Sequence, residues 1–133
     1  MFSRKKQPPI KSLIAQGTRI EGNVLFTDGL RIDGEVVGEV RAAADTPSIL
    51  VVSESGRVEG ALHAVHVIVN GTVEGPVRAA ELLELQPKAR ITGNVQYKAL
   101  EMHQGATIAG QMSPTATALL EEKPTLKLAS NAS

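Results

Sequence analysis

The stretch Val69-Asn70-Gly71-Thr72-Val73-Glu74-Gly75-Pro76-Val77 sets an apolar residue two places before a glycine and another two places after it. Five more glycines carry the same frame, so that Gly22, Gly38, Gly60, Gly75, Gly93 and Gly110 mark a repeat of 15 to 22 residues. Two places before them stand Ile20, Val36, Val58, Val73, Ile91 and Ile108, and two after them Val24, Val40, Leu62, Val77, Val95 and Met112. Eight places before come Ile14, Leu30, Val52, Val67, Leu85 and Met102, and ten before, in the last four repeats, Leu50, Val65, Leu83 and Leu100. A unit of this size cannot bury its apolar face alone and must stack on its neighbours.

All these offsets have one parity, which Phe26, Ala42, Ala64, Ala79 and Tyr97 continue four places after the glycine. Alternation with a period of two predicts strands with these residues inward. Residues of the other parity, such as Arg19, Glu35, Arg57 and Arg90, point outward. A glycine inside a strand pattern marks a bend or a close backbone approach, so each glycine of the frame is placed at a corner of a coil. Small residues four places earlier (Thr18, Gly34, Gly56, Gly71, Ala89, Ala106) predict a narrow interior there. The expected fold is all-β: a single-stranded, right-handed parallel β-helix of about six rungs. At ~4.8 Å per rung the rod is roughly 30 Å long. Right-handedness is expected from the uneven repeat, because left-handed hexapeptide helices keep a stricter period. The longest gap, 22 residues, is accounted for by a loop over 42–48 that bulges from the second or third rung.

Composition bounds the chemistry. The chain of 133 residues holds one domain with tails, and its core must be aliphatic because only Phe2, Phe26 and Tyr97 are aromatic. Without cysteine there is no disulfide framework and no cysteine-bound metal or cluster. The formal net charge of zero divides unevenly. Residues 1–11 carry Arg4, Lys5, Lys6 and Lys11 with no acid, whereas residues 12–112 hold eight basic and twelve acidic residues. An acidic body with one short basic end argues against nucleic acid as a partner along its surface. No apolar run reaches the length of a membrane-spanning helix, and the start lacks the apolar middle of a secretory signal, which predicts a cytoplasmic protein. Residues 113–133, rich in Ala, Thr, Ser and Pro, read as a disordered tail, with a short capping helix over 116–123 as the alternative.

No catalytic, cofactor or metal residues are assigned. His63, His66 and His103 all fall at outward offsets, and the H-x-x-H spacing of the first two lacks a third ligand. Glu59 and Glu74 stack one place before their glycines, close enough to repel slightly or to share a cation. Phosphate-binding loops, dinucleotide fingerprints and nucleophile–base pairs are missing from the sequence.

Leu13-Ile14-Ala15-Gln16-Gly17-Thr18-Arg19-Ile20-Glu21-Gly22, followed by Leu30-Arg31-Ile32-Asp33-Gly34-Glu35-Val36-Val37-Gly38, resembles the opening of a bactofilin domain. Val69-Asn70-Gly71-Thr72-Val73-Glu74-Gly75 and Ala89-Arg90-Ile91-Thr92-Gly93-Asn94-Val95 are similar to its later rungs, and the likeness covers about residues 12–112. The resemblance implies a bacterial cytoskeletal protein with a triangular cross-section that polymerises end to end without nucleotide or other cofactor. It further implies scaffolding of cell-wall or morphogenesis proteins, and an amino-terminal peptide that docks on anionic lipids at the inner face of the membrane. Here Met1, Phe2, Arg4, Lys5 and Lys6 occupy the place of that peptide.

An uncapped β-helix exposes unpaired backbone and an apolar layer at each end, a template for another copy. The residues expected there are Ile14, Ile20 and Val24 at one end and Met102, Ile108 and Met112 at the other. If like ends meet, the filament has no polarity. The competing readings are a left-handed hexapeptide-type acyltransferase or carbonic-anhydrase-like trimer, and a monomeric β-helix adaptor.

Overall fold

The computed structural model describes residues 9–44 and 47–115. The tail residues 1–8 and 116–133, with the expected docking peptide and the capping-helix segment, lie outside the described residues, as do Asp45 and Thr46 of the inserted loop. The described residues form sixteen strands and no helix. β1 (Ser12–Ile14), β2 (Arg19–Glu21) and β3 (Val24–Phe26) make the first rung, and β4 (Asp28–Ile32), β5 (Glu35–Val37) and β6 (Val40–Ala42) the second. The third opens with β7 (Ser48–Val52) and β8 (Arg57–Glu59) and closes with the first half of β9 (Leu62–Val69). The rest of β9, with β10 (Thr72–Glu74) and the start of β11 (Val77–Leu85), forms the fourth. The end of β11 passes into the fifth with β12 (Arg90–Thr92) and β13 (Val95–Tyr97), and β14 (Ala99–Met102), β15 (Thr107–Ala109) and β16 (Met112–Pro114) complete the sixth.

Strands pair only with their equivalents one rung away, and the pairs are parallel. Three stacks result, which gives the rod three sides. β2, β5, β8, β10, β12 and β15 form one sheet, while β9 and β11 bend round a corner and so join the other two stacks. The inserted loop leaves between β6 and β7, where the repeat spacing places it.

The core is aliphatic. Val36, Val58, Val73 and Ile91 stack in register along one side, each 0–2% exposed. Burying each such side chain contributes roughly 1.5–3 kcal/mol. The six glycines sit at a corner with positive φ, from +134° at Gly22 to +157° at Gly110. From Gly38 onward, a Cβ at any of them would strike the carbonyl of the glycine one rung below. Both the dihedral and the stacking therefore require glycine there.

Counting outward from the glycines misplaces part of the first side. Leu30 and Val67 are buried as expected, but they stack with Leu50 and Leu83, whereas Ile14 stacks with Ile32 and Leu85 with Val69 and Met102. The cause is a corner of two lengths. In four rungs it is a four-residue turn closed by a backbone hydrogen bond, as from Gly56 N to Ser53 O (2.8 Å) and from Ala89 N to Gln86 O (2.9 Å). In the second and fourth rungs only Asp33-Gly34 and Asn70-Gly71 intervene between strands. Val65, expected inward, is turned out, because β9 places both Val65 and His66 outside as it rounds its corner between Ala64 and Val67. The backbone N–H of Val65 donates instead to Oγ of the buried Ser48 at 3.0 Å, which keeps this corner free of an unpaired donor.

Candidate functional site: the ends of the rod

The structure puts all six expected end residues in the terminal rungs, three in the first and three in the sixth. Ile20 and Ile108 begin and finish the column whose middle members are closed off, and both are half-buried. Val24 is half-buried, Met102 is 44% and Met112 42% exposed. Ile14 differs from its expectation: at 7% it is already covered in the single chain. The first rung exposes apolar surface on its outer sides instead, through Leu13 (58%) and Leu25 (66%), which period-two reading places outward.

The backbone is left open in the same places. At the glycine corner each rung donates to the next, from Gly22 N to Val37 O (2.8 Å) through to Gly93 N to Ala109 O and Val95 N to Gln111 O (both 2.8 Å). The corresponding donors of the sixth rung, Gly110 and Met112, have no seventh rung among the described residues. Across the turn corner the direction reverses: Glu35 N donates to Thr18 O (2.9 Å) and Thr107 N to Ala89 O (3.0 Å). Each end thus offers a ring of donors and acceptors of fixed spacing, which a second molecule can pair.

The side surfaces are charged, and several of their charges are paired. Arg19 pairs with Glu21 at 2.9 Å and with Glu35 on the next rung at 3.0 Å. Glu59 and Glu74 lie in register, as the spacing predicts, and Arg57 bridges them at 3.2 and 2.8 Å. Hydrogen bonding to Glu59, then the charge of Glu74, raises the Arg57 pKa. On the third side Arg41, His63 and Arg78 are in register, and partial burial, followed by Arg78 and Arg41, lowers the His63 pKa.

The histidines are not gathered into one site. His63 pairs across to Arg78 on the third side, while His66 pairs across to Ile49 and Leu82 on the first. The H-x-x-H spacing therefore spans a corner. His103 lies elsewhere, 3.4 Å from Glu84, an association that single-residue reading missed because it joins the fifth rung to the sixth. Two signals carried it: Glu84 and Glu101 share an offset nine places before Gly93 and Gly110, and His103 follows Glu101 by two.

Of the basic tail, Met1, Phe2, Arg4, Lys5 and Lys6 lie outside the described residues. Lys11 belongs to the rod: its N–H donates to Gly29 O at 3.1 Å and its Nζ lies 3.0 Å from Asp28. Among the described residues no helix is long and apolar enough to cross a membrane.

A family model described as "Bactofilin: Polymer-forming cytoskeletal" matches residues 12–113, all six rungs. Bactofilin BacO of Myxococcus xanthus (strain DK1622) is 25% identical over 111 residues, covering 84% of this chain and 85% of that protein. Bactofilin BacP of the same organism is 26% identical over 101 residues, 76% of this chain and 40% of its own length. No solved structure matches.

Proposed function

Because this chain belongs to the bactofilin family of polymer-forming cytoskeletal proteins, we propose that it polymerises through its two end rungs into nucleotide-independent, non-polar filaments. Residues 1–6 attach these filaments to the inner face of the cytoplasmic membrane. The work is scaffolding rather than catalysis: the filament holds cell-wall or morphogenesis proteins in place. The observation that carries the reading is the fate of one column, fully buried from Val36 to Ile91 and half-open at Ile20 and Ile108. A core column cut at both ends is completed by another molecule.

For attachment, each Lys or Arg near an anionic leaflet contributes ~1 kcal/mol, and an inserted apolar side chain such as Phe2 roughly 1.5–3 kcal/mol when fully buried. A single tail therefore binds weakly. A filament presents many tails on one surface, and the later ones bind at high effective concentration.

Both halves of the proposal are testable in solution. Met112→Arg should leave the circular dichroism of the β-helix unchanged and remove rods from negative-stain images. Rods of undiminished length would place the junction elsewhere, and a discrete trimer of the unaltered chain would end the filament reading. Deleting residues 2–6 should preserve rods while abolishing co-sedimentation with liposomes containing phosphatidylglycerol; unchanged co-sedimentation would remove the tail from the proposal.

A further inference from the structure

Two pairs of glutamates face each other across neighbouring rungs, and they are neutralised differently. Glu59 and Glu74 have Arg57 between them. Glu84 on β11 and Glu101 on β14 are in register in the same way, and Nε2 of His103 lies 3.4 Å from Oε2 of Glu84. Like charges directly opposite on adjacent strands repel. A guanidinium between them offsets that repulsion. Among the described residues, the second pair makes no ion pair to Arg or Lys.

The three side chains also converge. One ligand atom from each of Glu84, Glu101 and His103 lies within 4.8 Å of the others. Metal bonds of ~2.0–2.2 Å from carboxylate oxygen and imidazole nitrogen require these atoms to close in to a little over 3 Å. The required movement falls on Glu101 and His103, which are exposed. Glu84 is the fixed member: its side chain is 21% exposed, and Gln86 Nε2 donates to its Oε2 at 3.3 Å, as an outer partner orients a ligating carboxylate. One imidazole and two carboxylates suit a borderline divalent ion and leave a fourth position for water or a neighbouring molecule.

We propose that Glu84, Glu101 and His103 form a binding site for a divalent transition cation, of which Zn2+ is the natural probe. Its consequence follows from position. Glu84 belongs to the fifth rung, while Glu101 and His103 belong to the sixth and flank Met102 in the end layer. A bound ion ties the terminal rung to the rung beneath it and opposes fraying of the surface on which assembly is proposed to occur. The site itself stands independently of the filament reading.

Equilibrium dialysis of the full chain against Zn2+ tests it, because the method works for rods and single molecules alike. One ion per chain is expected, bound at least tenfold more weakly by Glu101→Gln and by His103→Gln, and unchanged in His63→Gln. Affinity should fall on acidification, since metal ligands must be deprotonated. Zinc should also raise the Tm of the parent chain and not that of His103→Gln. Equal binding by the parent and the His103→Gln and Glu101→Gln chains, or no binding at millimolar zinc, would overturn the proposal.

Discussion

Gly75 in the middle of the rod and Gly22 in its first rung have the same place in the repeat and similar backbone angles, φ +149° and +134°. Around Gly75 a Cβ would meet the backbone of Gly60 at once; around Gly22 it would meet nothing within 4 Å. The apolar columns divide likewise, with Val73 at 0% and Met112 at 42% exposure. A solenoid's stability comes from neighbouring rungs, so one sequence frame yields packed core wherever both neighbours are present and an open surface wherever one is missing. Under the proposed end-to-end assembly, fold and polymerisation are the same interaction, satisfied within the chain in the middle and between chains at the ends.

The largest expected effect separates these two glycines directly. Gly75→Ala adds a methyl group against the Gly60 carbonyl in a conformation that L residues avoid, and should cost on the order of 3 kcal/mol, enough to lower Tm sharply. Gly22→Ala bears only the dihedral strain, about 1 kcal/mol. Thermal unfolding of both variants in an Ile20→Arg, Met112→Arg background, with both ends blocked, reads this difference without interference from assembly. Equal losses would mean that the glycine column is required by its backbone angle alone.

Next in size is the loss of assembly from one end. Ile108→Arg blocks the last rung, and Ile20→Arg, with Val24→Arg as a second choice, blocks the first. If like ends join, each variant still pairs through its untouched end and sediments as a dimer. If filaments run head to tail, either variant is a monomer. The dimer retained by Ile20→Arg should persist to lower concentration than that of Ile108→Arg, because Met102 and Met112 stand open at its junction whereas Ile14 is already covered. Analytical ultracentrifugation over a dilution series decides both points.

The middle was more legible in sequence than the ends. Val36, Val58, Val73 and Ile91 could be read off the glycine frame because strand alternation and a single corner relate them rigidly to it. Past the opposite corner the count put Leu30 and Val67 inward correctly but in the wrong column, and failed for Val65, since a turn of two residues and one of four are equally able to reverse the chain there. Ile14 shows the other limit: its place in the terminal rung follows from the repeat, but its coverage depends on contacts that no repeat encodes. The grouping of Glu84, Glu101 and His103 was hidden for a related reason, as it is a property of two rungs in register.

Charge on the side surfaces should matter less than either glycine or end layer. Arg57→Gln removes the cation shared by Glu59 and Glu74 and leaves two carboxylates opposed in the middle of the rod. Both partners are solvated, so the expected result is a small fall in Tm, well below that of Gly75→Ala, which shrinks further as salt is added. The same substitution one strand in from the end of the sheet, Arg90→Gln between Thr72 and Thr107, should change Tm still less, because no carboxylate faces it from the neighbouring strands. A salt-independent loss at Arg57 would mean that its stem packs rather than its charge pairs.

The smallest effect concerns pH, and again it belongs to the middle. His63 lies between Arg41 and Arg78 on the third side, where the end members of the column, Leu25 and Ser113, carry no charge. Burial, then Arg78 and Arg41, lower its pKa, outweighing Glu39, which acts to raise it. The folded chain therefore binds this proton less readily than the unfolded chain. Stability contributed by the neutral imidazole is present above the ordinary histidine value and is lost as pH falls through that value to the lowered one in the fold. His63→Gln in the Ile20→Arg, Met112→Arg background should flatten the decline of Tm over that window and leave Tm at higher pH nearly unchanged. If the two curves remained parallel, the arginine column would be too well solvated to act on His63, and the middle of this face would be electrically no different from its ends.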